Sequence, residues 1–113
     1  MNIGTAERVA TIAQLNDKLR TTFMGGKVLL TASVAALDEL SKARLLKAIC
    51  TFEAFNDGNN PHGERDFVSV DVGGEKYFAK IDCYAPDMEH GSEDPADPKK
   101  TVRVMTIMHA SDY

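Results

Sequence analysis

The chain has 113 residues and a formal net charge of −4, and 43% of its residues are hydrophobic while 27% are charged. A chain of this length typically builds one core and the composition is that of a folded globular protein, so we expect a single domain over residues 1–113. The acidic balance disfavours nonspecific nucleic-acid binding, and no apolar run is long enough to cross a bilayer, so we expect a cytoplasmic protein without membrane contact.

The first segment with a clear period is residues 5–23. Apolar residues recur there at steps of three and four, which indicates an amphipathic helix. The Thr5 hydroxyl is expected to cap its start, and Gly25 and Gly26 are expected to supply the positive φ that follows its end. Residues 27–31 are a short apolar run next to these glycines, which predicts one buried strand.

A second helix is predicted over residues 38–55. The segment contains neither Gly nor Pro, and four apolar side chains line one side of it: Leu45, Ile49, Phe52 and Phe55. Residues 56–61 are rich in Asn and end in a proline, so the helix is expected to stop before them.

A β-hairpin follows. Residues 67–72 and 77–83 alternate between apolar and polar, and the Gly-Gly pair at 73–74 has the composition of a tight turn. If Val72 pairs with Glu75, the valines face the core, and a slip of one residue would bury charges instead. The opposite, polar side of the hairpin then collects Arg65, Phe67, Ser69, Asp71, Lys76, Phe78, Lys80 and Asp82.

The last strand and the fold class follow from the same patterns. Residues 102–108 are apolar on both faces apart from Arg103, which favours an interior strand. We therefore predict an α+β fold, in which two helices pack on one face of a mainly antiparallel sheet of about four strands. One helix on each face of the sheet is the alternative.

The chain that enters the hairpin carries the candidate metal ligands His62, Glu64 and Asp66. Alternate side chains of an extended segment share a face, so these three could converge on a divalent cation. The ordinary interpretation is that polar loop residues of these types satisfy backbone groups or face water.

Phe67 and Phe78 lie among charges on the polar side of the predicted hairpin. Aromatic residues interleaved with charges are typical of a binding surface where nothing covers them, and they are core where a helix does. The predicted register places Arg65 opposite Asp82 and Lys80 beside Phe67, and ordinary cross-strand pairing explains these charges without a substrate.

The segment 84–101 lacks helix or strand periodicity. Long irregular segments in compact domains are usually functional or mobile, although a charged loop without a partner is the alternative. Residues 92–95 have the composition of a helix start, so a short turn is expected there. The acids of the segment are candidate contacts for a protein partner with a basic surface: Asp87, Glu89, Glu93, Asp94 and Asp97.

Five segments carry a family resemblance, in the order IAQLNDKLRTTFMGG, GERDF, KIDCY, GSEDPADP and RVMTIMHASDY. With them the chain resembles DUF3768, a family of small bacterial proteins of unknown function, over residues 11–113. The resemblance implies an origin on plasmids or other mobile elements, and it implies no reaction. It points to the polar positions Glu64, Asp66, Lys80, Asp82, Ser92, Glu93, Asp94 and Arg103.

The chain also departs from the pattern of the family it resembles. Arg65 stands where that pattern has a histidine, and an arginine cannot serve as a general base or as a neutral metal ligand. The departure weakens any expectation of histidine-dependent catalysis.

Two hypotheses for function follow. The leading one is a non-enzymatic protein-binding module of a mobile element, which counters a host defence or regulatory complex through the segment 84–101, called the acidic loop below, and the polar side of the hairpin. The alternative is a small metal-dependent hydrolase or nuclease, in which Glu64, Asp66 and Asp82 hold the metal and Lys80 or Arg103 stabilises developing negative charge. A DNA-associated regulator ranks third because of the net charge.

Known cofactor and zinc motifs are missing from the sequence. There is no P-loop, no GxGxxG and no GxSxG, so no cofactor is expected. Cys50 and Cys83 lack CxxC spacing, and we expect both to be buried free thiols.

Overall fold

A computed structural model describes residues 4–113; residues 1–3 of the predicted domain lie outside them. Within residues 4–113 there are three α-helices, α1 (Thr5–Thr22), α2 (Ala32–Ala35) and α3 (Glu39–Cys50), and four strands, β1 (Lys27–Leu30), β2 (Phe67–Val72), β3 (Glu75–Tyr84) and β4 (Val102–His109). Two 3₁₀ turns cover Pro98–Lys100 and Ala110–Asp112. None of the helices in residues 4–113 has the length and apolarity that a bilayer crossing requires.

The four strands form one sheet in the order β1-β4-β3-β2. β1 runs parallel to β4, and the other two pairs are antiparallel, so the predicted α+β class with a mainly antiparallel sheet is confirmed. β4 is an interior strand, as expected. The hairpin register is also confirmed, because Val72 pairs with Glu75 and Val70 with Tyr77. Gly73 and Gly74 have φ values of 61° and 79°, the left-handed backbone that a tight two-residue hairpin turn requires.

The helices all contribute to one core on one face of the sheet. Leu19 of α1, Val34 of α2 and Leu45 of α3 belong to the same buried cluster as the inward side chains of the strands. Those inward side chains are Val68, Val70, Tyr77, Ala79, Ile81, Met105 and Ile107. Packing of the two predicted helices on one face is thereby confirmed. The four-residue α2 was not predicted, since it is too short to show a helical period.

The ends of α1 differ from the prediction. The N-cap is Gly4 and no side chain caps the first turn, so the expected Thr5 cap is wrong. At the other end Phe23 itself adopts the left-handed conformation, with φ of 60°, and its N–H donates to the carbonyl of Leu19. Gly25, just past the helix, has φ of 91°, so the positive φ expected there is present, although Phe23 rather than a glycine forms the cap.

α3 ends at Cys50, five residues earlier than residues 38–55 predicted. Its start is as expected, since Asp38 is the N-cap and accepts the N–H of Ser41. At its end, Arg20 Nη1 donates to the carbonyl oxygens of Ile49 and Phe52, each at 2.9 Å. A cation at a helix C-terminus satisfies carbonyls that have no partner within the helix, and here it comes from α1.

β1 is not the buried strand that its apolar run predicted. It lies at the edge of the sheet, pairs only with β4, and three of its four residues are exposed. Leu29 keeps 51% of its surface accessible because no helix covers its side of the strand. The sequence pattern could not distinguish a short apolar edge strand from a short buried one.

Candidate functional site

The sheet has a second face, on which no α-helix of residues 4–113 packs; we call it the open face. Paired residues of neighbouring strands point to the same side, so its rows can be read from the register. One row joins Phe67, Lys80, Thr106 and Leu29 across all four strands, and the next joins Ser69, Phe78 and Met108. The alternation of residues 67–83 thus separates the core side from the open face, as the sequence predicts.

Three aromatic side chains meet on the open face: Phe67, Phe78 and Tyr113, the aromatic cluster below. The two phenylalanine rings lie 5.0 Å apart. The ring of Tyr113 stands edge-on to both, at 6.1 Å from Phe67 and 5.7 Å from Phe78. Tyr113 is 74% exposed, so the cluster ends in solvent rather than in a core.

The end of the chain reaches the cluster through the turn Ala110–Asp112. The Asp112 carboxylate accepts hydrogen bonds from the Thr31 hydroxyl at 2.9 Å and the Ser33 hydroxyl at 2.5 Å. These two hydrogen bonds, that of Ser33 more than that of Thr31, hold the pKa of Asp112 below its ordinary value. A cavity of about 270 Å³ lies beside this turn, lined by Lys80, Met108, Asp112 and Tyr113.

The charges of the open face pair with one another. Lys80 Nζ lies 3.4 Å from Asp82 Oδ1 along the same strand, and Lys76 lies 3.3 Å from Asp71. Lys80 is paired with Phe67 as expected. The expected pair of Arg65 with Asp82 is wrong, because Arg65 lies before the strand begins, with φ of 54°.

Arg65 instead turns towards α1 and the segment after α3. Its Nη1 lies 2.9 Å from Asp17 and 3.8 Å from Glu53, and its guanidinium stacks 4.5 Å from the Phe55 ring. The Asn60 side chain accepts its backbone N–H at 2.9 Å. Arg65 thus ties the hairpin entry to the helices and contributes nothing to the open face.

The candidate metal ligands at the hairpin entry do not converge. His62 and Asp66 are exposed and Glu64 is half-buried. Among residues 4–113, the one group of three His, Cys, Asp or Glu whose ligand atoms lie within 4.8 Å of one another is Asp87, Glu89 and His90, on the acidic loop. The triad of Glu64, Asp66 and Asp82 that the hydrolase hypothesis requires is therefore not assembled.

Comparison with known proteins gives one result. The family model described as "Protein of unknown function (DUF3768)" matches residues 30–112. The chain belongs to this family. No curated protein and no solved structure matches it. The match extends from the end of β1 to the turn before Tyr113, so it contains every candidate residue of the hairpin and the acidic loop, whereas α1 lies outside it.

The acids of this DUF3768 chain's loop mostly serve the loop itself. Asp87 accepts the N–H of Glu89 at 2.9 Å and contacts His90 Nδ1 at 2.8 Å, and these bonds lower its pKa from the ordinary value. Asp94 pairs with Arg8 of α1 at 3.0 Å. Asp97 caps the 3₁₀ turn Pro98–Lys100. The short turn expected at residues 92–95 is present and begins at Asp94, whose carbonyl accepts the N–H of Asp97 at 2.9 Å.

Two acids of the loop remain available to a partner. Glu93 is loosely paired with Lys100 at 3.6 Å and keeps 77% of its side chain exposed. Glu89 is exposed as well. An approaching basic surface would meet these two before the three acids that hold the loop together.

Arg103 is a buried structural residue and not a free electrostatic group. It is 3% exposed, and its Nε donates to Asn16 Oδ1 at 2.9 Å while its Nη2 donates to the Pro95 carbonyl. Burial lowers the pKa of Arg103 from its ordinary value, and the Cys83 and Glu64 charges oppose that shift. The side chain joins α1, β4 and the acidic loop.

The sequence analysis missed several residues that matter at this site. Tyr113 was not named, although an aromatic residue shortly after an interior strand is a signal for a contact near the sheet. Asn16 and Arg20 lie within the predicted apolar helix, and a polar residue on the core side of such a helix indicates a buried hydrogen-bond network. Cys50 and Cys83 are free as expected, and both are half-buried rather than buried.

Proposed function

We propose that this protein is a non-enzymatic protein-binding module that engages its partner with the open face. The observation that carries the proposal is the aromatic cluster on the open face, which none of the α-helices in the described part of the chain covers. Aromatic residues in a polar surround are the side chains that contribute most to protein interfaces, because they bury a large rigid area with little loss of conformational entropy.

The acidic character of the chain supports a partner with a basic surface. Glu89 and Glu93 are exposed on the loop that joins β3 to β4 at one end of the sheet, and the whole chain is acidic. Complementary charge accelerates and orients association, whereas the aromatic contacts supply most of the affinity. The setting that we propose, a mobile element in the bacterial cytoplasm with a host defence or regulatory complex as the target, rests on the family resemblance alone.

A hydrolase or nuclease has less support. The hairpin acids that would hold its metal are not brought together among residues 4–113. The two cationic groups offered for transition-state stabilisation are also occupied, since Lys80 pairs with Asp82 and Arg103 is bonded in the interior.

Quantitative pull-down from a bacterial lysate tests the proposal. The baits are the wild type, Phe78→Ser on the open face, and Leu40→Ser as a matched control that removes an apolar side chain 61% exposed on α3. Loss of a central aromatic contact typically costs about 2 kcal/mol or more, so Phe78→Ser should recover about 30-fold less partner at limiting bait.

The outcomes separate clearly. The wild type and Leu40→Ser are expected to recover the same partner, and the double variant Glu89→Gln/Glu93→Gln should recover less at low salt but not at high salt. Equal recovery by Phe78→Ser and the wild type, with both baits folded by circular dichroism, contradicts the proposal. Recovery no greater than that of an empty resin contradicts it as well.

A further inference from the structure

The outer edge of β2 carries backbone groups that point away from the sheet. The carbonyl of Asp66 accepts the N–H of Ile81 at 2.8 Å, which places these two residues in a hydrogen-bonded pair. Such pairs alternate along an antiparallel ladder, so Val68 and Val70 also bond to β3. The N–H and C=O groups of the residues between them must point outwards: Phe67, Ser69 and Asp71.

These outward groups have no partner from another part of the described chain. None of the loop, turn or capping backbone bonds in residues 4–113 involves any of the three. A cavity of about 540 Å³ lies next to them, bounded by Phe52, Ala54 and Asn59 on one side and by Phe67, Val68 and Ser69 on the other. The edge is therefore open over the length of strand that faces the cavity.

The other edge of the sheet is less suitable. β1 has four residues where β2 has six, and α2 begins two residues after β1 ends. An added strand next to β1 would run into that helix after a few residues. Short edge strands are one way in which proteins prevent further pairing, and β2 lacks that protection.

Acidic residues surround the β2 edge. Glu53 and Asp57 lie in the segment that borders the cavity, and Asp66 and Asp71 lie at the two ends of the strand; all four are exposed. Arg65 and Lys76 are the cations nearby, and each is already paired with an acid. An approaching segment thus meets an excess of negative charge.

We propose that β2 accepts an extended basic peptide segment as a fifth strand. Backbone pairing with Phe67, Ser69 and Asp71 would supply the register, as in other cases of strand addition. Alternate apolar side chains would enter the cavity beside Phe52, and the Lys or Arg side chains between them would meet the acids. The inference rests on the proposed protein-binding function and names the kind of partner segment.

The probe is a synthetic peptide, acetyl-Lys-Val-Lys-Val-Lys-Val-amide, and the full chain labelled with ¹⁵N is the protein. At saturating peptide, amide exchange at Ser69 and Asp71 should slow by about tenfold or more because these N–H groups gain partners, with little change at Val68 and Val70. The matched control, in which Glu replaces each Lys, should bind at least about tenfold more weakly at low salt.

A protein variant gives a second readout. Ser69→Pro removes an N–H that points away from β3, and proline is tolerated at such positions of edge strands. It should weaken peptide binding by about tenfold or more while the spectrum of the remaining sheet persists. If this variant does not fold, the exchange pattern of the wild type decides alone.

Several results would overturn the inference. They are an absence of exchange changes up to about 1 mM peptide, slowing centred on Phe78 and Lys80 of the open face, or wild-type affinity in a folded Ser69→Pro variant. If the amides of the β2 edge already exchange slowly without peptide, and their protection rises with protein concentration, the edge pairs with a second copy of the chain instead. Phe78→Ser leaves the β2 edge intact, so a partner lost from that bait supports the proposed function even if strand addition fails.

Discussion

The buried Arg20 offers the most demanding test of how the helices are held together. Its side chain is 1% exposed, and Nη1 donates to two carbonyl oxygens, that of Ile49 in the last turn of α3 and that of Phe52 just after it. Nη2 pairs with Asp17, whereas Nε has no partner among the described residues. Replacement by Met keeps an unbranched apolar side chain, two atoms shorter than that of Arg, and removes every one of these bonds.

The size of the effect can be worked out from these contacts. Each charge-assisted bond to a buried carbonyl contributes about 1.5 to 3 kcal/mol, so the two together contribute about 3 to 6 kcal/mol. Met also removes the buried Nε that has no partner, which restores about 1 to 3 kcal/mol of the free energy of unfolding. The ion pair with the partly exposed Asp17 contributes little to the free energy of unfolding. We therefore expect Arg20→Met to lower the free energy of unfolding by about 3 kcal/mol, a large part of the stability of a small domain.

Urea denaturation followed by circular dichroism measures this change. Arg65→Met is the matched control, because Arg65 binds the same carboxylate of Asp17 and stacks on Phe55 but keeps 34% of its side chain exposed. The control should lose about 1 kcal/mol or less. A loss below about 1 kcal/mol for Arg20→Met, or equal losses for both variants, would refute the capping role of Arg20.

Three further outcomes are expected. Gly26→Ala should lower the free energy of unfolding measured in urea by about 2 kcal/mol or more, because the new Cβ would lie 2.5 Å from the Arg103 carbonyl oxygen. Gly91→Ala is the control and should lose far less, since a Cβ there has nothing within 4 Å. Equal losses in the two variants would contradict this packing. The folded pKa of Asp112 lies below its unfolded value, so its carboxylate stabilises the fold above the ordinary carboxyl range and loses that contribution as pH falls through the lowered pKa. The difference between the urea midpoints of the wild type and Asp112→Asn should thus be full at about pH 7 and shrink as the pH falls below the ordinary carboxyl range, and a difference independent of pH would contradict this. Burial raises the pKa of the Cys83 thiol, so less of it is thiolate at about pH 8 than for a free cysteine. In the Cys50→Ser variant, iodoacetamide should therefore modify Cys83 more slowly than it modifies free cysteine. Equal rates would argue against the half-buried position of Cys83.

Most of the sheet can be predicted from the sequence because the patterns that determine it are local. The Gly-Gly turn and the alternation of residues 67–83 determine the hairpin register, and the apolar character of residues 102–108 indicates an interior strand. The end of α3 could not be predicted in the same way, since the Arg20 side chain that satisfies its last carbonyls comes from another helix. Helix propensity continues through Phe52 and Phe55, and tertiary contacts override it.

The candidate site was predictable in part for a similar reason. Phe67 and Phe78 were placed on one side of the hairpin by the strand period, but whether a helix covered them depended on the packing of α1. Tyr113 reaches the cluster through a turn held by Asp112, a contact between distant parts of the chain that no local pattern shows. The role of Arg65 changed because a positive φ removes it from the strand.

The parallel pairing of β1 with β4 has a consequence for synthesis on the ribosome. Lys27 pairs with Val104 and Leu30 with Ile107, so the strand made first waits for the strand made last. Until residues 102–109 leave the exit tunnel, the nascent chain can form the hairpin and the helices but not the complete sheet. The apolar side chains of β1 and β3 therefore remain exposed to water. Chaperone contact is expected to be greatest in that interval and to end abruptly once β4 inserts between its neighbours.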